Sequence, residues 1–230
     1  MNIRIYGDSL MKGTVIDERL RYRATMGQNI EAFQSRFGVQ IENSSRFGST
    51  VERGQAQLKK DIEAGLSGGY ALIEFGGNDC DFRWNEVAAQ PEKEHLPRTT
   101  LAVFEQIYHA MIAALRQRNV TPIVMTLPPI DAERYLDFID RAGNDKRQIL
   151  RWLGDTNMIY RFHELYSHAV EKIAMQTNTL LIDVRERFLG LNNFRELIGL
   201  DGIHLNPAGY KLMVETFNSF AAGKLKPIIA

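Results

Sequence analysis

A serine hydroxyl, an Asp-x-x-His pair and two sources of hydrogen-bond donors are the residues of this chain whose types and spacing could do chemistry. Ser9 closes the run Ile3-Arg4-Ile5-Tyr6-Gly7-Asp8-Ser9, an alternating strand set directly against a turn. A serine hydroxyl is almost fully protonated near neutral pH, so it attacks a carbonyl only when a neighbouring base accepts its proton. His204 is the best candidate for that base. It lies three residues after Asp201, a spacing at which a carboxylate can hold the imidazole's other nitrogen, fix the tautomer and stabilise the imidazolium. Ser9, His204 and Asp201 are therefore expected to form a triad. The negative charge developing on an attacked carbonyl oxygen needs preorganised donors. Gly48, in Phe47-Gly48-Ser49-Thr50, offers an unhindered backbone N–H; Asn78, in Gly76-Gly77-Asn78-Asp79, offers a side-chain amide; Ser9 can add its own N–H.

These residues are scattered over nearly the whole chain, so regular elements must bring them together. Five short apolar runs read as strands: Ile3 to Tyr6, Val39 to Glu42, Tyr70 to Phe75, Pro122 to Thr126 and Thr179 to Asp183. Between them, Val51 to Leu66, Leu101 to Arg118 and Tyr160 to Gln176 show the three-and-four spacing of amphipathic helices. Strands alternating with helices imply right-handed crossovers and a parallel sheet covered on both faces. Sites in such sheets form at the carboxyl ends of strands, where Ser9, Gly48 and Asn78 all fall. Asn206 as N-cap, Pro207 in the first turn and an apolar stripe of Tyr210, Met213, Val214 and Phe217 mark a last helix, which fixes the loop holding His204. The weakly patterned stretches at about 78–99 and 128–157 are longer than ordinary connections and are the candidate substrate walls.

In order and spacing, the Gly-Asp-Ser, Phe-Gly-Ser-Thr, Gly-Gly-Asn-Asp and Asp201-Gly202-Ile203-His204 segments together resemble the SGNH (GDSL-type) hydrolase superfamily. The match runs from Gly7 to His204. One departure lies in Asn43-Ser44-Ser45-Arg46-Phe47-Gly48, which lacks a glycine that many relatives carry soon after the asparagine. The resemblance implies a flavodoxin-like α/β/α fold with a five-stranded parallel sheet, Ser9 as nucleophile, Gly48 and Asn78 in the oxyanion hole, and Asp201 and His204 as acid and base. It also implies ester hydrolysis through an acyl-enzyme, with no metal or organic cofactor. The same machinery serves thioesterases and lysophospholipases, and a catalytically idle member that binds a glycan or acyl group is the rival from another class.

The 230 residues are expected to form one domain over 1–230. With 28 basic and 28 acidic residues, bulk charge draws the chain to neither nucleic acid nor an anionic membrane, and the expected partner is a small-molecule ester. No stretch approaches the roughly 20 apolar residues of a membrane span. Cys80 is the only cysteine and no signal segment precedes the first strand, which together predict the cytoplasm. Asp8, Asp79, Cys80, Phe82, Trp84 and Tyr135 are the substrate-wall candidates. The aromatic ones are read equally well as a satellite core holding the long connections down. Asp79 and Asp81 lack the further ligands of a cation site, so no metal is expected there. His163 and His168, five apart and about 140° around a helix, do not share a metal-binding face; with His95 and His109 they are read as structural or exposed. Dense charge at Asp131, Arg134, Asp145, Lys146, Arg147 and Arg151 argues against a broad greasy groove and favours a small or polar substrate, with short acyl esters first.

Overall fold

The computed structural model describes residues 1–225; the last five positions of the expected 1–230 domain lie outside the described residues. The chain begins with β1 (Asn2–Tyr6), then a hairpin of β2 (Thr14–Ile16) and β3 (Tyr22–Ala24), α1 (Met26–Phe37), β4 (Gln40–Asn43), α2 (Val51–Glu63) and β5 (Tyr70–Ile73). It continues through α3 (Trp84–Ala89), α4 (Leu101–Arg116), β6 (Thr121–Met125), α5 (Ala132–Arg141), α6 (Lys146–Leu153), α7 (Asn157–Thr177) and β7 (Leu180–Ile182). Next come α8 (Val184–Leu189), a 3₁₀ turn at Phe194–Leu197, and α9 (Pro207–Lys224). β4, β1, β5, β6 and β7 form one five-stranded sheet in that order, every pairing parallel. This is the expected flavodoxin-like order, with the chain reversing direction of travel at β1.

The inner strands β5 and β6 are covered on both faces while the edge strand β4 leaves Gln40 and Glu42 exposed, and side chains divide between the faces with period two. Ala71, Ile73 and Val124 pack on one side with Val51 and Leu58 of α2, α4, and Tyr166 to Ala174 of α7. Ile3, Ile5, Leu72, Ile123 and Met125 pack on the other with α1, α8 and α9. The expected strands and helices are all present, with ends moved by one to three residues: α2 and α4 stop short and α7 begins earlier. Asn206 caps α9 as expected, its Oδ1 accepting from the amides of Ala208 and Gly209, each at 3.0 Å.

The two long connections are not plain loops. The first contains α3 and the second contains α5 and α6, which pack with the start of α7 as a third apolar cluster around Phe82, Trp84, Tyr135, Leu136 and Ile149. Two of the charges counted against a greasy groove are helix caps: Asp131 accepts from the Arg134 amide and Asp145 from the Arg147 amide. Asp131 also takes a two-pronged pair from Arg195, at 2.8 and 2.9 Å. Burial, the largest single effect, would raise the Asp131 carboxyl, but the Arg195 hydrogen bonds, the Arg134 amide and the charges of both arginines together hold it below the usual carboxylate range. No helix among the described residues is long and apolar enough to cross a membrane.

Candidate active site

At the carboxyl end of β1 the chain turns sharply: the Leu10 amide donates to Asp8 Oδ1 at 2.8 Å and the Gly13 amide to the Leu10 carbonyl at 2.9 Å. This Asx turn presents Ser9 between the ends of β4 and β5. Ser9 Oγ lies 2.8 Å from His204 Nε2, and His204 Nδ1 lies 2.6 Å from Asp201 Oδ2. The other carboxylate oxygen of Asp201 accepts from the amides of Ile203, at 3.1 Å, and His204, at 3.0 Å. Both oxygens are thus committed, which fixes Nδ1 as the protonated nitrogen and leaves the Nε2 lone pair facing Ser9. Burial alone would raise the Asp201 carboxyl; the hydrogen bond and charge of His204, with the two amides, hold it below its ordinary value.

The loop carrying Asp201 and His204 is pinned to α5. Gly202 has φ +79°, and a Cβ there would fall 2.4 Å from the Tyr135 nitrogen and 2.6 Å from the Asp131 oxygen. The Asp131 amide donates to the Gly202 carbonyl at 2.8 Å. Gly202→Ala is therefore expected to cost at least about 1–3 kcal/mol from the backbone alone, and to lower activity per folded molecule by moving His204. Urea unfolding with kcat on the same preparation tests this; a variant unchanged in both would remove Gly202 as the point that pins the loop.

Gly48 has φ +67° with open space where a Cβ would stand, so glycine is required there by backbone conformation rather than by crowding. Asn43 staples this second loop to the first: its Nδ2 donates to the Met11 carbonyl at 2.8 Å and its Oδ1 accepts from the Ser45 amide at 3.0 Å. That staple shapes the loop without the glycine the sequence lacks. Asn78 donates one amide hydrogen from Nδ2 to Asp8 Oδ2 at 2.7 Å, which leaves the second to point elsewhere.

The wall candidates divide. Asp8 borders the cavity, yet both its oxygens are taken by Leu10 and Asn78, so it acts as a brace rather than a wall. Behind it lies Glu74, 1 % exposed, whose Oε2 is 3.4 Å from the Asp8 amide. Burial first, then the Asp8 charge, pushes the Glu74 carboxyl well above the usual carboxylate range. Asp79 is corrected: it is fully buried and turned away from the cavity, accepting from the Val51 amide at the start of α2 at 3.0 and 3.3 Å. Burial raises its carboxyl to about 7. A carboxylate this short can cap a helix or face a substrate, and the orphan N–H of α2 claims it.

Cys80 does line the cavity, with Sγ 3.4 Å from the Gly77 carbonyl and a thiol pushed well up by burial, which leaves it protonated and a weak nucleophile. Phe82, Trp84 and Tyr135 serve both readings, bordering the cavity while packing in the third apolar cluster. Asp81 organises them, its Oδ1 accepting from Trp84 Nε1 at 2.8 Å and from the Tyr135 hydroxyl at 2.9 Å. Asp79 and Asp81 therefore point to different partners and do not converge on a cation.

The cavity has a volume of about 290 Å³. Several of its members were not singled out from the sequence, among them Tyr22, Phe47 and His163, while Arg98 falls within the 78–99 stretch expected as a wall. Tyr22 and Phe47 cover His204, with ring centroids 5.2 and 5.9 Å from the imidazole and Phe47 only 16° from parallel. Arg98 sits 3.8 Å from Asp81. His163, read as structural or exposed, is buried and borders the cavity; burial and the charge of Arg185 push it down to about 3, so it is neutral. His168 is exposed and pairs with Glu171 at 3.6 Å. Tyr22 belongs to a three-residue strand with all side chains exposed, which carries no periodic signal.

A flavodoxin-like three-layer α/β/α fold with serine, histidine and aspartate in hydrogen-bonded series at the carboxyl edge of its five-stranded sheet is the arrangement of an SGNH-type serine hydrolase. The chain belongs to the GDSL-like lipase/acylhydrolase family, whose pattern it matches over residues 5–212, and it is an ester-bond hydrolase. Among solved structures it is similar to a lipase/acylhydrolase from Enterococcus faecalis, with a TM-score of 0.64 and 20% identity over 97% of this chain and 96% of that one. A catalytic mutant of an acetylxylan esterase from Geobacillus stearothermophilus gives a TM-score of 0.64 at 18% identity, over 95% and 92% of the two chains. An α/β-hydrolase enzyme from the metagenome of Lake Arreo, Spain, gives 0.65 at 18% identity, over 96% and 94%. At these identities the likeness concerns the fold. No curated protein matches the sequence.

Proposed function

We propose that the protein is a serine carboxylic ester hydrolase that cleaves short acyl esters, acetyl groups on a carbohydrate or other small alcohol among them, through an acyl-serine intermediate. The observation that carries this reading is the position of His204, within hydrogen-bond distance of Ser9 at 2.8 Å and of Asp201 at 2.6 Å. Ser9 Oγ attacks the carbonyl carbon as His204 Nε2 takes its proton, and the tetrahedral oxyanion is met by the Ser9 and Gly48 amides and the free Asn78 hydrogen. Collapse breaks the bond to the alcohol oxygen, which leaves with the proton from His204. Water, deprotonated by the same nitrogen, then attacks acyl-Ser9 and releases the acid.

The small cavity and its mixed polar and aromatic walls support a compact substrate, since its volume lies at the low end for ligand sites, ~300–1,000 Å³. Among the similar folds, the acetylxylan esterase has serine, histidine and aspartate variants described as catalytic mutants. The decisive experiment is a p-nitrophenyl ester series from acetate to palmitate, extended to acetylated xylooligosaccharides and acyl-CoA. Turnover that falls with chain length is expected. A preference for long chains or acyl-CoA would assign a thioesterase or lysophospholipase instead, and no turnover of any ester would assign a binding role.

A further inference from the structure

The wall contributed by the first half of α7 carries polar atoms that the chemistry at Ser9 does not use. His163 is 6 % exposed and borders the cavity. Its Nδ1 is sealed off with no hydrogen-bond partner, which leaves Nε2 as the nitrogen available to a ligand. Behind it Arg185, in the first turn of α8, is 4 % exposed. Its Nη1 donates to the Leu127 carbonyl at 3.2 Å, but its buried Nε and Nη2 have no partner. The one carboxylate within ion-pair distance among the described residues, Glu164, is 3.8 Å away on a half-exposed side chain, and the guanidinium carbon lies 5.1 Å over the Tyr160 ring.

A buried cation with so little compensation is costly unless something else meets its field. The other charges at the cavity are already matched. Asp8 is bonded to Leu10 and Asn78, Asp81 to Trp84 and Tyr135 with Arg98 beside it, and Asp201 to His204. Arg185, just outside the cavity lining, is met among the described residues only by the Leu127 carbonyl, the Tyr160 ring and Glu164 at 3.8 Å, and its charge reaches His163. A neutral imidazole carries one N–H. With Nδ1 sealed off and unpartnered, a proton on Nε2 is the one that can reach a partner. The cavity is then offered a hydrogen-bond donor with positive potential behind it.

We propose that His163, backed by Arg185, forms a second polar subsite in this cavity that takes a carboxylate carried by the acyl or the alcohol part of the substrate ester. This deepens the ester-hydrolase reading and rests on it. Two matched pairs test it by acid release: ethyl hydrogen succinate against ethyl levulinate on the acyl side, and acetoxyacetate against acetoxyacetone on the alcohol side. In each pair a carboxylate replaces a methyl ketone of the same shape. At least one carboxylate is expected to have a kcat/KM about tenfold or more above its ketone, a preference that His163→Phe and Arg185→Met each abolish. Because the ratio is taken on one preparation, loss of folded protein cancels from it. Calorimetric titration with the products, succinate against levulinate and glycolate against hydroxyacetone, reads the same preference without turnover. The subsite is overturned if neither pair favours the carboxylate, or if the preference survives both substitutions. Failure to hydrolyse any of the four esters would count against the hydrolase reading instead, and the titrations would then decide the subsite.

Discussion

Ser9→Ala is expected to lower kcat by about 10⁴- to 10⁶-fold on the best short-chain ester, with little change in stability. The size follows from what the hydroxyl does and what remains without it. Removing Oγ deletes the atom that forms the acyl bond, so the covalent route closes and hydrolysis falls back on water held in the cavity. The Gly48 amide and Asn78 stay in place, and such residual sites retain about 10³- to 10⁴-fold catalysis over water. Activity should therefore be crippled without reaching the uncatalysed rate. Stability should hold because Ser9 has one side-chain partner, His204, whose orientation is set from the other side by Asp201. Steady-state kinetics with a thermal melt of the same sample checks both halves. A variant within tenfold of wild type would remove Ser9 from the reaction, whatever its distance from His204.

The sheet was legible because its strands are short, largely apolar runs, fully buried at β5 and nearly so at β6, and this pattern survives without any knowledge of neighbours. Ser9, Gly48 and Asn78 were legible for the related reason that each follows such a run. The hairpin of β2 and β3 was not: Tyr22, Arg23 and Ala24 are all exposed and their strand is held by one partner alone. Helix α5 was hidden by composition. Ala132, Tyr135, Leu136 and Ile139 are its buried residues and do recur with helical spacing, but the charges of this stretch, Asp131 and Arg134 among them, made it read as a weakly patterned loop. His163 could be placed on a helix from sequence, but whether it faced the sheet, solvent or the cavity depended on how α7 is rotated against α5 and the end of β6. Asp8 shows the same limit within a motif. Its neighbour Ser9 marks it as near the site, yet its partner Asn78 is 70 residues away, and only the meeting of β1 and β5 reveals that one braces the other.

That brace carries the second large effect. Asn78→Ala is expected to reduce kcat by about 10²- to 10³-fold with a much smaller change in KM, because the amide meets charge that exists only in the transition state. Asp8→Asn should reproduce part of this loss, on the order of tenfold or more, without touching substrate. The 2.7 Å bond from Asn78 Nδ2 to Asp8 Oδ2 holds the amide so that its other hydrogen is free, and an asparagine at position 8 would meet it with an NH₂ or a weaker acceptor. Asp8 also accepts from the Leu10 amide, so a stability loss alone would say only that the nucleophile's turn has loosened. A double-mutant cycle separates the two effects. If Asp8 works through Asn78, adding Asp8→Asn to Asn78→Ala should cost much less in kcat than it does in the wild type. Equal cost in both backgrounds would mean that Asp8 acts on the Ser9 turn alone and that the oxyanion donor is held by other contacts.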